Sequence, residues 1–298
     1  MGQLSPARFG RVLTAMVTPF APNGDLDLHA TAALAKWLVA HGSDGLVVNG
    51  TTGESPALSP KETLQLFRAV RDAVDCPVIA GTGSNDTAHA IAQSKAAADM
   101  GMDGLLVVTP YYNRPSQAGL EQHFKAVAGA TKTPVVLYDI PSRAGRKVDT
   151  DLIIRLANEV ETIVGLKDAA GNPAETARVI AEAPADFQVY SGDDGLTLPL
   201  LSVGAVGVIG VATHWAGERI KAVIDAVDAG ELATARRLNA ELIESYSWES
   251  TLAAPNPIPA KAAMRALGLA VGQCRLPLGD APEGLDAEAR ALVARLRS

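Results

Sequence analysis

Short runs of apolar, often β-branched residues recur along this chain, each followed by a longer Ala- and Leu-rich stretch with helical spacing. The short runs lie at residues 12–17, 45–48, 78–80, 105–108, 135–138, 163–167, 188–190 and 207–211. Helical spacing is predicted between most of them, at 29–41, 60–74, 87–100, 120–130, 149–158, 173–182 and 196–203. Strand followed by helix, eight times over, is the pattern of a parallel sheet with crossover helices. The strand runs do not alternate with polar residues, as expected when both faces of a sheet are covered. Strand starts recur every 20–35 residues or so, which suits eight βα units closing on themselves as a (β/α)8 TIM barrel. A doubly wound sheet is the competing reading. No G-x-G-x-x-G follows the first strand, and Gly81-Thr-Gly-Ser84 is only half of such a fingerprint and follows the third strand.

A chain of 298 residues could hold two domains at about 150 residues each, but a barrel of this kind is one unit. Residues 1–217 are read as the barrel and 218–298 as a C-terminal helical extension. Helices are predicted there at 218–229, 232–246 and 260–267, with a last one from 286. The segment 254–259 interrupts them. Gly230 and Gly268 stand where helix C-caps belong.

Apolar residues make up 48% of the chain and charged residues 20%, enough to build a large core and to exclude wholesale disorder. A net charge of -7 argues against general affinity for nucleic acid or anionic membrane. Two cysteines, Cys76 and Cys274, make no disulfide framework. Residues 1–10 lack the charged start and apolar stretch of a secretory signal, and Gly2 is followed by Pro6 where a myristoylation motif needs Ser or Thr. The longest apolar run, 198–211, is too short and glycine-rich to span a bilayer. A cytoplasmic protein is expected.

In a barrel, the strand C-termini and the loops after them form the site. Gly50-Thr-Thr-Gly-Glu-Ser55 follows strand two, Thr109-Pro-Tyr-Tyr-Asn-Arg114 strand four, and Ser191-Gly-Asp-Asp194 strand seven. Tyr138 ends strand five and Lys167 ends strand six. The five histidines fall mostly within helical stretches and never in a ligand pair, which disfavours a metal. Lys167 closes an apolar run. Desolvation there lowers an amine's pKa and frees it for a Schiff base with a ketone; an ion pair with Asp168 or Glu54 is the alternative. The Thr51-Thr52 turn is either a tight βα connection or a carboxylate cradle of hydroxyls and backbone N–H groups. Tyr138 is either a proton carrier for Lys167 or a buried phenol with one hydrogen bond. Arg143 is either a carboxylate clamp or a solvated loop residue. Tyr111 and Tyr112, taken alone, read as packing.

Together these motifs resemble the pyruvate-dependent class I aldolases, the family of dihydrodipicolinate synthase and N-acetylneuraminate lyase. The resemblance runs from Ala15-Met-Val-Thr-Pro-Phe20 to Pro255-Asn-Pro-Ile-Pro259. It implies that Lys167 forms an imine with pyruvate and that Tyr138 relays protons. It implies that Thr51 links Tyr138 to Tyr112 of a neighbouring subunit, and that Thr52 binds the pyruvate carboxylate. Ile209 matches a strand-eight residue whose carbonyl faces pyruvate, and Gly192 part of the second-substrate pocket. Within the family, Thr51-Thr52 and Arg143 match the synthases acting on aspartate semialdehyde, whose carboxylate an arginine can hold. The sialic-acid lyases carry Ser-Thr and Leu there. Another pyruvate lyase or sugar-acid dehydratase is the alternative. Asp139 and Asp168 depart from the Asn and Glu of some members. The resemblance further implies no metal or organic cofactor, small-molecule substrates only, and a homotetramer built as a dimer of dimers. At positions matching the lysine-inhibition pocket of regulated members stand Pro60, Thr63 and His89, so weak or absent inhibition by lysine is expected.

Overall fold

The computed structural model describes residues 6–297; the reading made at Gly2 lies outside them. Eight parallel strands close into a barrel in sequence order: β1 (Val12–Ala15), β2 (Gly45–Val48), β3 (Val78–Gly81), β4 (Gly104–Val108), β5 (Val135–Asp139), β6 (Ile163–Asp168), β7 (Gln188–Ser191) and β8 (Gly207–Gly210). β1 pairs with both β2 and β8. Each strand is as expected to within two residues at either end.

Around the sheet run α1 (Leu28–Ala40), α2 (Pro60–Arg71), α3 (Thr87–Asp99), α4 (Gln117–Ala128), α6 (Thr150–Glu159), α7 (Pro173–Glu182), α8 (Thr197–Ser202) and α9 (Thr213–Asp228). Their starts follow ordinary capping chemistry. Ser59 and Glu62 form a reciprocal capping box on α2, and the Asn172 side chain accepts from the Ala174 N–H at the start of α7. A four-residue helix after β5, α5 (Pro141–Ala144), was not expected; Pro141 preorganises its first turn and it carries Arg143.

Strand parity fixes what faces the barrel interior. Leu46, Val48, Leu105, Val107, Leu137 and Leu166 point outward and pack under the helices. The intervening Val47, Leu106, Val136, Tyr138 and Ile209 fill the interior with Leu13 and Tyr190. Successive side chains on a strand alternate faces, so outward Leu137 and Leu166 turn Tyr138 and Lys167 inward. By the same rule Asp139 and Asp168 face the helices. Asp139 accepts from the Val148 N–H, and Asp168 from the hydroxyl of Thr176 on α7.

The extension holds α10 (Leu232–Ala240), α11 (Ile243–Trp248), α12 (Ile258–Ala266) and α13 (Leu285–Arg297). The single helix expected over 232–246 is broken. The Leu242 N–H bonds to the Asn239 carbonyl three residues back, Leu242 is buried, and α11 sets off anew with Ser245 under the Trp215 indole N–H. Gly230 and Gly268 lie at φ of +77° and +84°, the left-handed conformation that ends a helix. Among the described residues no helix is long and apolar enough to cross a membrane.

Candidate active site

The C-terminal ends of β2, β3 and β5 frame a cleft of about 230 Å³, lined among others by Thr51, Tyr111, Tyr138 and Arg143. Tyr138 and Lys167 are register partners across β5 and β6. The Lys167 amine lies 4.4 Å from the centre of the Tyr138 ring. Lys167 is 5% exposed, and among the described residues it makes no ion pair. Neither carboxylate suggested as its partner serves it: Asp168 is on the outer face, and Glu54 is bonded to Lys261 at 2.6 Å.

Burial pulls the Lys167 pKa down to about 8, opposed in part by the negative charges of Asp194 and Glu249 and assisted by Arg143. An ammonium without a counter-ion in direct contact is costly to keep charged in such a place. Tyr138 moves the other way. Burial pushes its phenol up to about 12, although Arg143 and a hydrogen bond from Thr51 favour the phenolate. At neutral pH the phenol therefore keeps its proton, beside an amine only modestly more basic than the solvent pH. Outside the barrel wall, burial raises Asp139 to about 7.

The turn after β2 is held from several sides. Thr52 is buried, and its hydroxyl accepts from Asn256 Nδ2 at 2.9 Å. The Gly53 carbonyl accepts from the Thr18 hydroxyl at 2.6 Å. Glu54 sits at φ +56°, a strained conformation for a residue with a side chain. Its carboxylate is tied to the Lys261 ammonium and to the Arg275 N–H. Both partners of the Glu54–Lys261 pair are excluded from water, so removing either would leave an uncompensated buried charge at a cost of roughly 3–5 kcal/mol. The turn's conformation is thus anchored to the extension.

The remaining residues singled out in the sequence are placed as follows. Arg143 lines the cleft and donates to the Asn256 carbonyl at 3.2 Å. Gly192 donates its N–H to the Asp168 carbonyl, and a Cβ there would come within 2.9 Å of Lys167 Cγ, so only glycine leaves the lysine stem its room. Ile209 is fully buried in the interior layer, paired with Leu13. Tyr112 is not brought to the others within this chain: it is 90% exposed, at φ +72°.

Asn256, which sequence reasoning had given no role, joins the site by its bond to Thr52; Asp194 lies in the loop after β7 already expected there, and Glu249, after α11, adds a negative charge that acts on Lys167. Asn256 comes from the extension, where nothing local betrays a link to the turn after β2 some two hundred residues away.

The family model of the dihydrodipicolinate synthetase family matches residues 8–296. The chain belongs to this family. It is 51% identical to the 4-hydroxy-tetrahydrodipicolinate synthase of Moorella thermoacetica, over 91% of this chain and 92% of that protein. It is 47% identical to the synthase of Cyanothece over 97% and 98% of the two chains. Among solved structures, dihydrodipicolinate synthase from Cyanidioschyzon merolae with lysine bound superposes with a TM-score of 0.95 at 43% identity, covering 98% and 99%. A monomeric dihydrodipicolinate synthase variant matches with a TM-score of 0.93 at 35% identity, covering 97% of each chain. Dihydrodipicolinate synthetase family members thus share this chain's barrel and its extension along nearly their full length.

Proposed function

We infer that this chain is a Schiff-base-forming lyase, a 4-hydroxy-tetrahydrodipicolinate synthase that condenses pyruvate with L-aspartate 4-semialdehyde in lysine and diaminopimelate biosynthesis. The observation that carries this reading is the unpaired, buried Lys167 amine over the ring of Tyr138, beside a turn that presents two threonines.

The chemistry follows from those groups. The lone pair of neutral Lys167 attacks the pyruvate ketone carbon, and the carbonyl π electrons move to oxygen. Tyr138 gives that oxygen a proton and takes one from the nitrogen, producing a carbinolamine. Tyr138, again a phenol, gives its proton to the hydroxyl, which leaves as water while the nitrogen lone pair closes a cationic C=N bond and the tyrosine is left as phenolate. The Tyr138 phenolate takes a methyl proton to give the enamine, whose carbon attacks the aldehyde of the second substrate; the aldehyde π electrons move to its oxygen, which takes that proton back from Tyr138, and the cationic C=N bond re-forms. The product's own amine then displaces Lys167 from the C=N carbon, cyclising the product and restoring the free lysine. Thr52, with the backbone N–H groups of its turn, holds the pyruvate carboxylate. Thr51 ties Tyr138 into the relay. Arg143 clamps the semialdehyde carboxylate, with Gly192 beside it, and the Ile209 carbonyl borders the pyruvate. No cofactor enters the scheme.

Tyr112 completes the relay from a neighbouring subunit in this reading, which requires at least a dimer and fits a homotetramer. Its exposure and its left-handed backbone support the idea that it reaches outward. The enzyme works in the cytoplasm. The division into a barrel of residues 1–217 and an extension of 218–298 is part of this reading; α9 (Thr213–Asp228) runs through that boundary, and Ala260, Met264 and Val293 of the extension share one apolar cluster with barrel residues.

The test is a coupled assay with aspartate semialdehyde, comparing wild type with Arg143→Ala. Condensation should fall by about two orders of magnitude, as for loss of a charged clamp, while imine formation with pyruvate is largely kept. Equal loss of both would remove Arg143 from this role. No turnover of the semialdehyde by wild type would remove the assigned substrate.

A further inference from the structure

Left-handed residues stand on both sides of the threonine turn: Asn49 at φ +62° and Glu54 at φ +56°. Between them lie Gly50, Thr51, Thr52 and Gly53. Glycine would adopt this conformation at both positions without cost. Asparagine tolerates it, and a glutamate holds it only where its surroundings compel it. A side chain kept at each position therefore calls for something that the side chain does.

Both side chains are buried, and each grips a different part of the fold. Asn49 Nδ2 donates to the Gly81 carbonyl at 2.8 Å, at the end of β3. The backbone around Asn49 is closely packed: a Cβ at Gly81 would lie 2.3 Å from the Asn49 carbonyl oxygen, and one at Gly53 3.1 Å from the Asn49 nitrogen. Glu54 Oε1 meets the Lys261 ammonium at 2.6 Å, and Oε2 accepts from the Arg275 N–H at 2.8 Å. Those two cationic residues are themselves fixed. Lys261 Nζ donates to the Gln273 carbonyl at 2.8 Å, and the Arg275 guanidinium donates to the Gly24 and Ala57 carbonyls and to Glu62. Each lies 4.2 Å from the centre of the Phe20 ring. The backbone then closes the turn, with the Glu54 N–H donating to the Thr51 carbonyl at 3.0 Å and the Gly53 N–H to the Gly50 carbonyl at 3.1 Å.

We propose that Asn49 and Glu54 are positioning residues for the condensation: two side-chain locks, one fastened to β3 and one to the extension, that hold the Thr51–Thr52 turn in the conformation that receives the pyruvate carboxylate. This deepens the reading above and rests on Thr52 being the pyruvate-binding threonine. Both residues act through the turn and not by contact with substrate. A turn held from both ends needs no rearrangement when the carboxylate arrives. Without one lock, the Thr52 hydroxyl and the turn's N–H groups are still present, but the turn divides its population among conformations. Apparent affinity for pyruvate then falls by the fraction no longer in the binding form.

Glycine removes a lock without imposing strain, since it accepts a positive φ. Asn49→Gly opens the first lock. Glu54→Gly combined with Lys261→Met opens the second and leaves no unpartnered buried ammonium. The measurement is steady-state kinetics at varied pyruvate. In each variant KM for pyruvate should rise about tenfold while kcat stays within about twofold of wild type. Thr52→Val should raise KM by itself. Asn49→Gly added to Thr52→Val should raise KM by clearly less than the product of the two separate increases, because both changes act on one turn. An unchanged KM in the glycine variants, or increases that multiply in full, overturns the proposal. A KM unaltered by Thr52→Val would instead refute the pyruvate role of Thr52, and the locks would lose the residue they act through. The two locks reach the turn from opposite ends, so if one variant does not fold the other decides.

Discussion

Asn256 joins Thr52 and Arg143, the two residues proposed to hold substrate carboxylates: its Nδ2 donates to the Thr52 hydroxyl at 2.9 Å, and its carbonyl accepts from Arg143 Nη2 at 3.2 Å. One residue of the extension thereby orients together the threonine proposed for pyruvate and the arginine proposed for the semialdehyde. Loss of the side chain frees the Thr52 hydroxyl and leaves the backbone contact to Arg143 in place. Asn256→Ala is expected to lower kcat/KM for pyruvate about tenfold, mostly through KM, as for one buried hydrogen bond. Steady-state kinetics at varied pyruvate check this. An unchanged KM with reduced kcat would place Asn256 in the chemical step instead.

The Lys167 amine sets the pH dependence. With its pKa near 8, the lysine is mostly ammonium below that pH and lacks the lone pair that attacks the ketone. The reactive fraction rises with pH and is nearly complete one to two units above the midpoint. The kcat/KM for pyruvate should therefore climb by about tenfold per pH unit on the acid side and level off above about 8. An acid-side midpoint close to that of an ordinary lysine, above 10, would contradict the environment described.

Beside the active-site cleft lies a second cavity of about 250 Å³, whose lining includes Pro60, Thr63, Ser84, His89 and Gln93. Among the described residues no carboxylate lines it, so the ammonium groups of a free lysine molecule find no opposite charge from them. Inhibition by lysine is expected to be weak or absent. Initial-rate assays with added lysine test this, and near-complete inhibition below millimolar concentration is the contrary outcome.

Much of the barrel was legible because its physics is local. Uninterrupted apolar runs such as 105–108 and 135–138 are long enough for strands and too short for helices. Strand parity alone turns Tyr138 and Lys167 to the same interior. The Lys167 environment was half legible: its burial followed from the run it closes, but its freedom from an ion pair depended on Lys261 claiming Glu54. That pairing joins residues far apart in sequence and leaves no periodic trace. The same holds for Asn256, visible only as a polar residue in a proline-rich break, and for Glu249, one acid among many. The split between α10 and α11 was missed because the helical spacing continues across it. What breaks the helix there is the packing of Leu242 and Ser245, a tertiary cause.

The central claim is covalent, and reduction in the presence of pyruvate tests it directly. Borohydride with pyruvate, followed by proteolysis and mass spectrometry, should add one reduced pyruvyl group to the peptide containing Lys167, and none in Lys167→Met. A wild-type enzyme that turns over substrate yet carries no adduct, or carries it on another lysine, would contradict the account.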